Sequence, residues 1–213
     1  MSKFLSTVLF GLTLVGTAHA QAPAQWEAGK HYELIEPAQA TTTGDKVEVV
    51  EVFSYACPHC NQVAPIVDGI KKSLPANATF VLMPAQFGSD AWKQYARAFY
   101  TAQALGFADK AHSDVFRAIY GDKKLSGNAP TFDSIAAFYS AYGVSAADFV
   151  ATSKSFAIET RLKRNEALVK AYGVDGTPAF IVNGKYRLSG QSAGGYDKLE
   201  PLIRHLVALE SGG

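Results

Sequence analysis

Cysteine is scarce in this chain, which has two cysteines, Cys57 and Cys60, in 213 residues. A small secreted domain that depends on disulfides for stability uses several cysteines, so that class of protein is excluded. Only two residues separate this pair, and a bridge that closes so short a loop adds little stability in the chain-entropy model. We therefore interpret the pair as a site of redox chemistry and not as a structural brace.

The chain also lacks an excess of charge of either sign. It has 20 Lys and Arg against 19 Asp and Glu, and residues 1–20 contain Lys3 but no acid, so their removal leaves 19 of each. Nucleic-acid binding requires a basic surface, so we expect no nucleic-acid partner. No later segment contains the ~20 apolar residues needed to cross a bilayer, so we expect a soluble mature protein that is not membrane-embedded.

The first 20 residues have the pattern of a secretory signal peptide. Lys3 precedes an apolar run from Phe4 to about Val15, and Ala18-His19-Ala20 supplies small residues at the cleavage spacing. A membrane anchor is the alternative, but the apolar run, roughly a dozen residues, is short for a spanning helix. We predict export with cleavage after Ala20.

The apolar pattern predicts two buried strands on either side of a helix. Residues 47–53 form a nearly continuous apolar run, typical of a central strand, in which Glu51 is the exception. Residues 57–74 have helical spacing with Pro58 in the first turn, which places Cys57 at a helix N-terminus. Pro65 is expected to kink this helix. Residues 79–83 form the second strand candidate.

The sequence pattern predicts helices between residues 89 and 172 and strands again afterwards. The predicted helices cover residues 90–105, 110–120, 132–142, 146–153 and 156–172. We expect their apolar side chains to form a core: Trp92, Tyr95, Phe99, Phe116, Ile119, Ile135, Phe138 and Tyr142. Asn183-Gly184 between two short apolar runs predicts a hairpin, and an amphipathic helix is expected from about Gly195 to Leu209.

The position of Cys57 favours a reactive thiolate. A helix N-terminus offers unpaired N–H groups and roughly half a positive charge, and His59 can donate a hydrogen bond or carry a proton. Cys60 lies one turn further into the helix, where Cys57 shields it. We therefore expect Cys57 to exchange with substrates and Cys60 to complete the exchange.

The segment from Phe53 to Cys60, Phe-Ser-Tyr-Ala-Cys-Pro-His-Cys, resembles the active site of the DsbA family of periplasmic dithiol oxidases. Gly176-Thr177-Pro178 resembles the cis-proline loop that faces the CxxC motif in the thioredoxin superfamily. The segment from Asn183 to Tyr186 resembles the hairpin of the family. Together these motifs extend the resemblance over essentially the whole mature chain.

The resemblance implies an α/β, thioredoxin-like fold formed by residues 21–88 and 173–213, with an inserted helical domain at residues 89–172. It implies that Cys57 is the nucleophile, that Cys60 is the resolving cysteine, and that Thr177 and a cis Pro178 form the substrate-facing edge. It further implies a periplasmic monomer that acts on reduced exported proteins. Beyond the Cys57–Cys60 disulfide no cofactor or metal is expected, and a quinone-linked, DsbB-like membrane protein is the implied reoxidant.

The family also has a buried acid behind its active site, and Glu51 occupies the matching position. Its implied role is proton relay to Cys60, and burial without a cation is expected to raise its pKa. Residues 80–83 of the neighbouring strand contain no lysine to pair with it, which departs from the family pattern. The alternative is that Glu51 points to solvent at a strand edge.

Other functions remain open at this point. A zinc site built on Cys57 and Cys60 needs two further ligands, for which the sequence shows no spacing. The scattered histidines, His31, His112 and His205, are expected at the surface or capped. The protein could also be a binding protein or chaperone, in whose function the cysteines would have no part. Among enzymes, a thiol reductase or disulfide isomerase could use the same motif, but Pro58-His59 and the lack of a preceding dimerisation domain favour an oxidase.

Overall fold

The computed structural model describes residues 26–87 and 89–212, so the predicted signal peptide, residues 1–20, lies outside the described residues. The described residues form a mixed sheet and a set of helices. The strands are β1 (Glu33–Leu34), β2 (Val47–Phe53), β3 (Ala78–Pro84), β4 (Ala179–Val182) and β5 (Tyr186–Leu188). The helices are α1 (Pro58–Ser73), α2 (Asp90–Ala104), α3 (Ala108–Phe116), α4 (Phe132–Tyr139), α5 (Ala146–Ser153), α6 (Phe156–Ala171), α7 (Gly190–Ala193) and α8 (Leu199–Glu210).

Strand β2 is the centre of the part of the sheet that positions the site. The strand order is β1-β5-β4-β2-β3, with β3 parallel to β2 and β4 antiparallel to it. Every residue of β2 is buried, as its apolar sequence predicted. The strand ends at Phe53, so its carboxyl end leads directly to Cys57 and helix α1.

Most predicted elements are confirmed, and the differences have local causes. Asn183 and Gly184 both have positive φ, +51° and +65°, as a two-residue hairpin requires. The final helix begins at Leu199 and not near Gly195, because Gly194 and Gly195 take left-handed or extended backbone that ends α7 first. Helix α1 is one helix that continues through Pro65.

Helices α2 to α6 are inserted between β3 and β4, and their aromatic core continues into the active-site segment. Phe53 and Tyr55 share a buried cluster with Tyr95, Phe99 and Phe116, which confirms the packing role predicted for these last three residues. Within the described residues, no helix combines the length and the hydropathy that crossing a bilayer requires.

One polar contact lies inside this aromatic core. The hydroxyl of Tyr55 lies 3.0 Å from Nδ1 of His112 on α3, and both side chains are buried. Of the two alternatives for His112, at the surface or capped, the structure shows the second, because the buried ring is capped by the Tyr55 hydroxyl. Its contact joins the segment before Cys57 to the inserted helices.

Candidate active site at the amino terminus of helix α1

Cys57 is the N-cap residue of α1 and follows β2 after a short turn. Its backbone is extended (φ −94°, ψ 115°), and Pro58 takes the first helical position, where a missing N–H removes no helical hydrogen bond. The Cys57 N–H donates to the carbonyl oxygen of Ser54 at 3.1 Å, which closes the turn. The sulfur of Cys57 therefore faces the first N–H groups of the helix.

These surroundings stabilise the Cys57 thiolate and lower the pKa of the thiol to about 5. The largest cause is a hydrogen bond from the Cys60 thiol, against which burial acts in the opposite direction. The Thr177 side chain and the backbone N–H groups of Cys60 and His59 lower the pKa of Cys57 further. At neutral pH Cys57 is thus a thiolate, the reactive form of cysteine.

Cys60 has the opposite electrostatic environment. Its side chain is fully buried, and burial together with the negative charge of Cys57 raises the pKa of Cys60 far above its ordinary value. Cys60 therefore keeps its proton and donates it in a hydrogen bond to Cys57. In the structure both cysteines are free thiols. This asymmetry matches a pair in which one sulfur meets substrate and the other remains inside.

His59 acts on Cys57 through its backbone. Its imidazole is exposed, and Nδ1 lies 3.3 Å from Oε1 of Gln62, whereas its backbone N–H is one of the groups that lower the pKa of Cys57. The sequence pointed to the imidazole as the donor. The structure shows the contribution of the backbone N–H, and a further contribution of the imidazole stays a prediction.

The loop that contains Thr177 and Pro178 faces Cys57, although 120 residues separate Thr177 from Cys57 in the sequence. The Thr177–Pro178 peptide bond is cis, as predicted. The Cys57 thiol donates to the carbonyl oxygen of Thr177 at 3.4 Å, a bond that only the protonated sulfur can make. The Thr177 hydroxyl is buried and has no partner within the described residues, so it is available to donate to the ionised sulfur.

Glu51 is buried in the middle of β2, and the alternative that it points to solvent is wrong. Its side chain is 3% exposed, and its Oε2 atom has no hydrogen-bond partner in the described part of the chain. Burial raises the pKa of Glu51 to about 8, while the positive charge of Lys71 partly offsets the rise. The direction of this shift and its cause are those expected from the sequence. The carboxyl group can therefore hold or release a proton near neutral pH.

The sequence analysis did not identify Lys71 as a residue that acts on Glu51. The Lys71 Nζ atom lies over the ring of Phe80 on β3, 5.3 Å from its centroid, and acts on Glu51 from the helix side. Lys71 follows Cys60 by eleven residues, which is about three helical turns and places the two residues on the same face. That spacing is the signal that could have identified it.

Two cavities flank the Cys57–Cys60 segment. One, of about 490 Å³, is lined by His59, Thr177 and Pro178 and is called the Thr177-side cavity below. The other, of about 790 Å³, is lined by Pro58 and by residues after α3, among them Tyr120 and Lys123, and is called the Pro58-side cavity. The sequence gave no indication of the second cavity.

Comparison with known proteins agrees with this geometry. A family model described as the DSBA-like thioredoxin domain matches residues 48–204. The thiol:disulfide interchange protein DsbA of Pseudomonas syringae pv. tomato is 36% identical over 97% of this chain and 94% of its own length. The protein of the same name from Pseudomonas aeruginosa is 38% identical over 97% of this chain and 95% of its own length.

A solved structure shows that the similarity to DsbA proteins extends to the fold. The crystal structure of Pseudomonas aeruginosa DsbA has a TM-score of 0.80 and 34% sequence identity, and the match covers 88% of this chain and 95% of that chain. The thioredoxin-like fold with inserted helices and the thiol:disulfide oxidoreductase class are therefore confirmed. Since the match to the family model runs from β2 through the Cys57–Cys60 motif and the Thr177–Pro178 loop, this chain belongs to the DSBA-like thioredoxin domain family.

Proposed function

We propose that this protein is a dithiol oxidase that passes a Cys57–Cys60 disulfide to reduced proteins exported to the periplasm. A substrate thiolate attacks the Cys57 sulfur, so a mixed disulfide forms and the bond to Cys60 breaks. A second substrate thiolate then attacks the substrate sulfur of the mixed disulfide. Cys57 leaves as a thiolate, the substrate gains a disulfide, and the protein gains two electrons.

The stabilised thiolate of Cys57 is the observation that carries this direction. A thiol with a low pKa is a good leaving group, which speeds the second displacement. Stabilisation of the thiolate also favours the reduced protein, which makes the disulfide a stronger oxidant. A pKa of about 5 for Cys57 therefore favours an oxidase over the reductase that the same motif could serve.

We assign proton relay to Glu51. When Cys60 leaves the disulfide it must take up a proton, because burial disfavours its thiolate. Glu51 lies close enough for its charge to raise the pKa of Cys60 further. A carboxyl group with a pKa of about 8 is protonated at neutral pH and can supply that proton. Thr177 and Pro178 form the edge on which the substrate backbone lies beside Cys57.

Partners and location follow from the same function. Proteins of this family work through their own redox-active cysteines, so the reaction needs no further cofactor. Each cycle leaves Cys57 and Cys60 reduced, so an oxidant must remove two electrons, and we propose a quinone-linked, DsbB-like membrane protein. The signal-peptide pattern of residues 1–20 supports a periplasmic location, and we propose that the protein acts as a monomer.

Equilibration with glutathione tests the direction of the reaction. We expect a reduction potential well above about −200 mV, whereas a value near about −270 mV, that of the reducing thioredoxins, would contradict the oxidase. Oxidation of a reduced, unfolded protein should be lost in Cys57→Ser. Cys60→Ser has no disulfide to pass on, so it should also fail to oxidise the reduced protein. When it is mixed with a substrate that already contains a disulfide, its Cys57 thiolate should attack that disulfide, and denaturing gels should show mixed disulfides that Cys60 is not there to resolve.

A further inference from the structure

Two uncommon backbone features lie together in the wall of the Pro58-side cavity. Residues Arg117–Gly121 form a π-helical turn that ends α3, and such turns occur often at functional sites. Lys123 has φ +58°, a left-handed conformation that non-glycine residues seldom adopt. Backbone of this kind persists only where the surrounding structure holds it, so its position is informative.

These features place an aromatic ring and an ammonium group beside the active-site motif. The π-helical turn carries Tyr120 into the wall of the cavity that Pro58 also lines. The Nζ atom of Lys123 lies over the Tyr120 ring, 6.0 Å from its centroid, within the range of a cation–π interaction. Burial is the largest cause that raises the pKa of the Tyr120 hydroxyl, and the negative charge of Cys57 raises it further. The cavity thus opens next to the reacting sulfur.

Lys123 leaves a positive charge in this cavity. The neighbouring Lys124 pairs with Asp122 at 3.5 Å, whereas Lys123 makes no ion pair within the described residues. Both lysines line the cavity, and its other lining residues carry no acidic side chain. An anionic group that enters the cavity can therefore pair with Lys123, because no carboxylate among the described residues is already paired with that lysine.

The Thr177-side cavity differs in charge. Glu33 and Asp175 line it, and its arginine, Arg187, donates to the carbonyl oxygens of Tyr172 and Gly173. A substrate joined to Cys57 has chain on both sides of its cysteine, so these two cavities receive opposite flanks of that chain. The Pro58-side cavity therefore has two lysines and no acid among its lining residues, whereas the Thr177-side cavity has two acids beside its arginine.

We propose that the Pro58-side cavity is a substrate subsite that binds an acidic side chain a few residues from the reacting cysteine, with Lys123 as the residue that determines this specificity. The proposal rests on the proposed function, since Cys57 must first accept a substrate cysteine. The occupant is a flank of an unfolded or extended polypeptide. Tyr120 holds the Lys123 side chain over the cavity, and Pro58 and Ile119 provide apolar surface around it.

Oxidation of matched peptides tests this subsite. Three reduced dithiol peptides differ only in one residue a few positions from the first cysteine, which is Glu, Gln or Lys. Their second-order oxidation rates are measured with the oxidised protein. We expect the Glu peptide to react about two- to fivefold faster than the Gln peptide, the effect of one exposed ion pair. The Lys peptide should be slowest, and added salt should reduce these differences.

Three variants distinguish a specific effect of Lys123 from an effect of the protein's net charge. The Glu preference should fall to about one in Lys123→Gln and persist in Lys123→Arg, which keeps the charge. It should also persist in Lys46→Gln, because Lys46 is exposed and precedes β2 at the end opposite to Cys57. Circular dichroism of each variant verifies that the fold is retained.

The outcomes distinguish this subsite from the proposed function. Equal rates for the three peptides with the wild-type protein, a Glu preference that survives in Lys123→Gln, or an equal loss in Lys46→Gln would each overturn the subsite. Oxidation of none of the peptides would contradict the dithiol oxidase itself, and the subsite with it. Oxidation of all three at one rate would contradict the subsite alone.

Discussion

Glu51 occupies a position that opposes its charged form. In the sheet register it lies between Leu82 of β3 and Phe180 of β4, inside a strand that is buried along its whole length. A buried carboxylate without a close partner is destabilising, so the folded chain keeps Glu51 protonated to a higher pH than the unfolded chain does. Perturbed acids of this kind concentrate at functional sites.

Replacement of Glu51 by Gln should separate its role in the reaction from its effect on stability. Without the proton donor we expect turnover to slow by about 100- to 10,000-fold, the scale of general acid catalysis. The pH dependence of turnover near pH 8, where the wild-type carboxyl titrates, should disappear. Stopped-flow oxidation of a reduced peptide across pH measures both effects. Unchanged turnover at every pH would remove the relay.

The stability of the same variant provides a second readout. Because the pKa of Glu51 rises from 4.5 to about 8 on folding, the folded state retains a proton that the unfolded state loses between these values. The free energy of unfolding therefore falls as pH rises through this window, and Glu51→Gln should abolish that fall. Glu48→Gln is the control, since Glu48 is also buried on β2 but accepts hydrogen bonds from Thr42, away from the cysteines.

At the scale of the elements, the β4–β5 hairpin fixes the loop that faces Cys57. Strand β4 begins at Ala179, immediately after Pro178, and pairs with β2 along its whole length, so the hairpin and the central strand share one framework. The hairpin in turn depends on Gly184. This glycine has φ +65°, and a Cβ atom there would collide with the carbonyl oxygen of Gln39.

We therefore expect Gly184→Ala to lower the free energy of unfolding by about 1–3 kcal/mol, through left-handed backbone and the clash with Gln39. Gly69→Ala is the matched control. Gly69 lies within α1 and its Cβ would meet no atom within 4 Å, so this change should raise stability by about 0.5–1 kcal/mol. Urea denaturation measures both variants. Equal effects at the two positions would show that the hairpin backbone is not constrained as described.

At the scale of the whole molecule, the inserted helices complete the environment of the cysteines. Cys57 and Cys60 belong to the same buried cluster as the aromatic residues of α2 and α3. The Tyr55–His112 contact joins the two parts of the chain next to the motif. Burial of Cys60, which keeps it protonated, is therefore a property of the assembled fold and not of α1 alone.

We predict that the reduced protein is more stable than the oxidised one. Cys57 has a pKa of about 5 in the folded protein, against about 8.5 for an unfolded cysteine. The stabilisation is fully present above the unfolded value, shrinks as pH falls, and is lost at about pH 5, the folded value. Each pH unit within this window corresponds to about 1.4 kcal/mol, or about 30 mV for the two-electron couple.

Paired thermal melts of the two redox states, recorded from pH 4 to 9, would measure this difference. The Tm of the reduced protein should exceed that of the oxidised protein at neutral pH, and the gap should close towards about pH 5, as the Cys57 thiolate takes up its proton. His59→Leu tests the imidazole, which we expect to add to the backbone effect, so the gap should narrow. A higher Tm for the oxidised protein at pH 7 would favour a reductase.

The sequence by itself determined the features that depend on near neighbours. The apolar run of β2, the helical spacing after Pro58 and the Asn183-Gly184 turn are local patterns, so they placed Cys57 at a helix N-terminus between a buried strand and a helix. The position of Thr177 beside Cys57 came from family resemblance, because no local rule connects residues 120 positions apart.

Tertiary packing decided the electrostatics. The sequence alone does not show that Lys71 lies over the ring of Phe80 on β3. It also does not show which of the two expected positions, at the surface or capped, His112 takes, since that depends on its contact with Tyr55 in the core. The π-helical turn and the left-handed Lys123 likewise have no local sequence pattern that predicts them. Charge and burial depend on which distant segments approach a side chain, so only the folded chain fixes the pKa values and the cavity charges of this site.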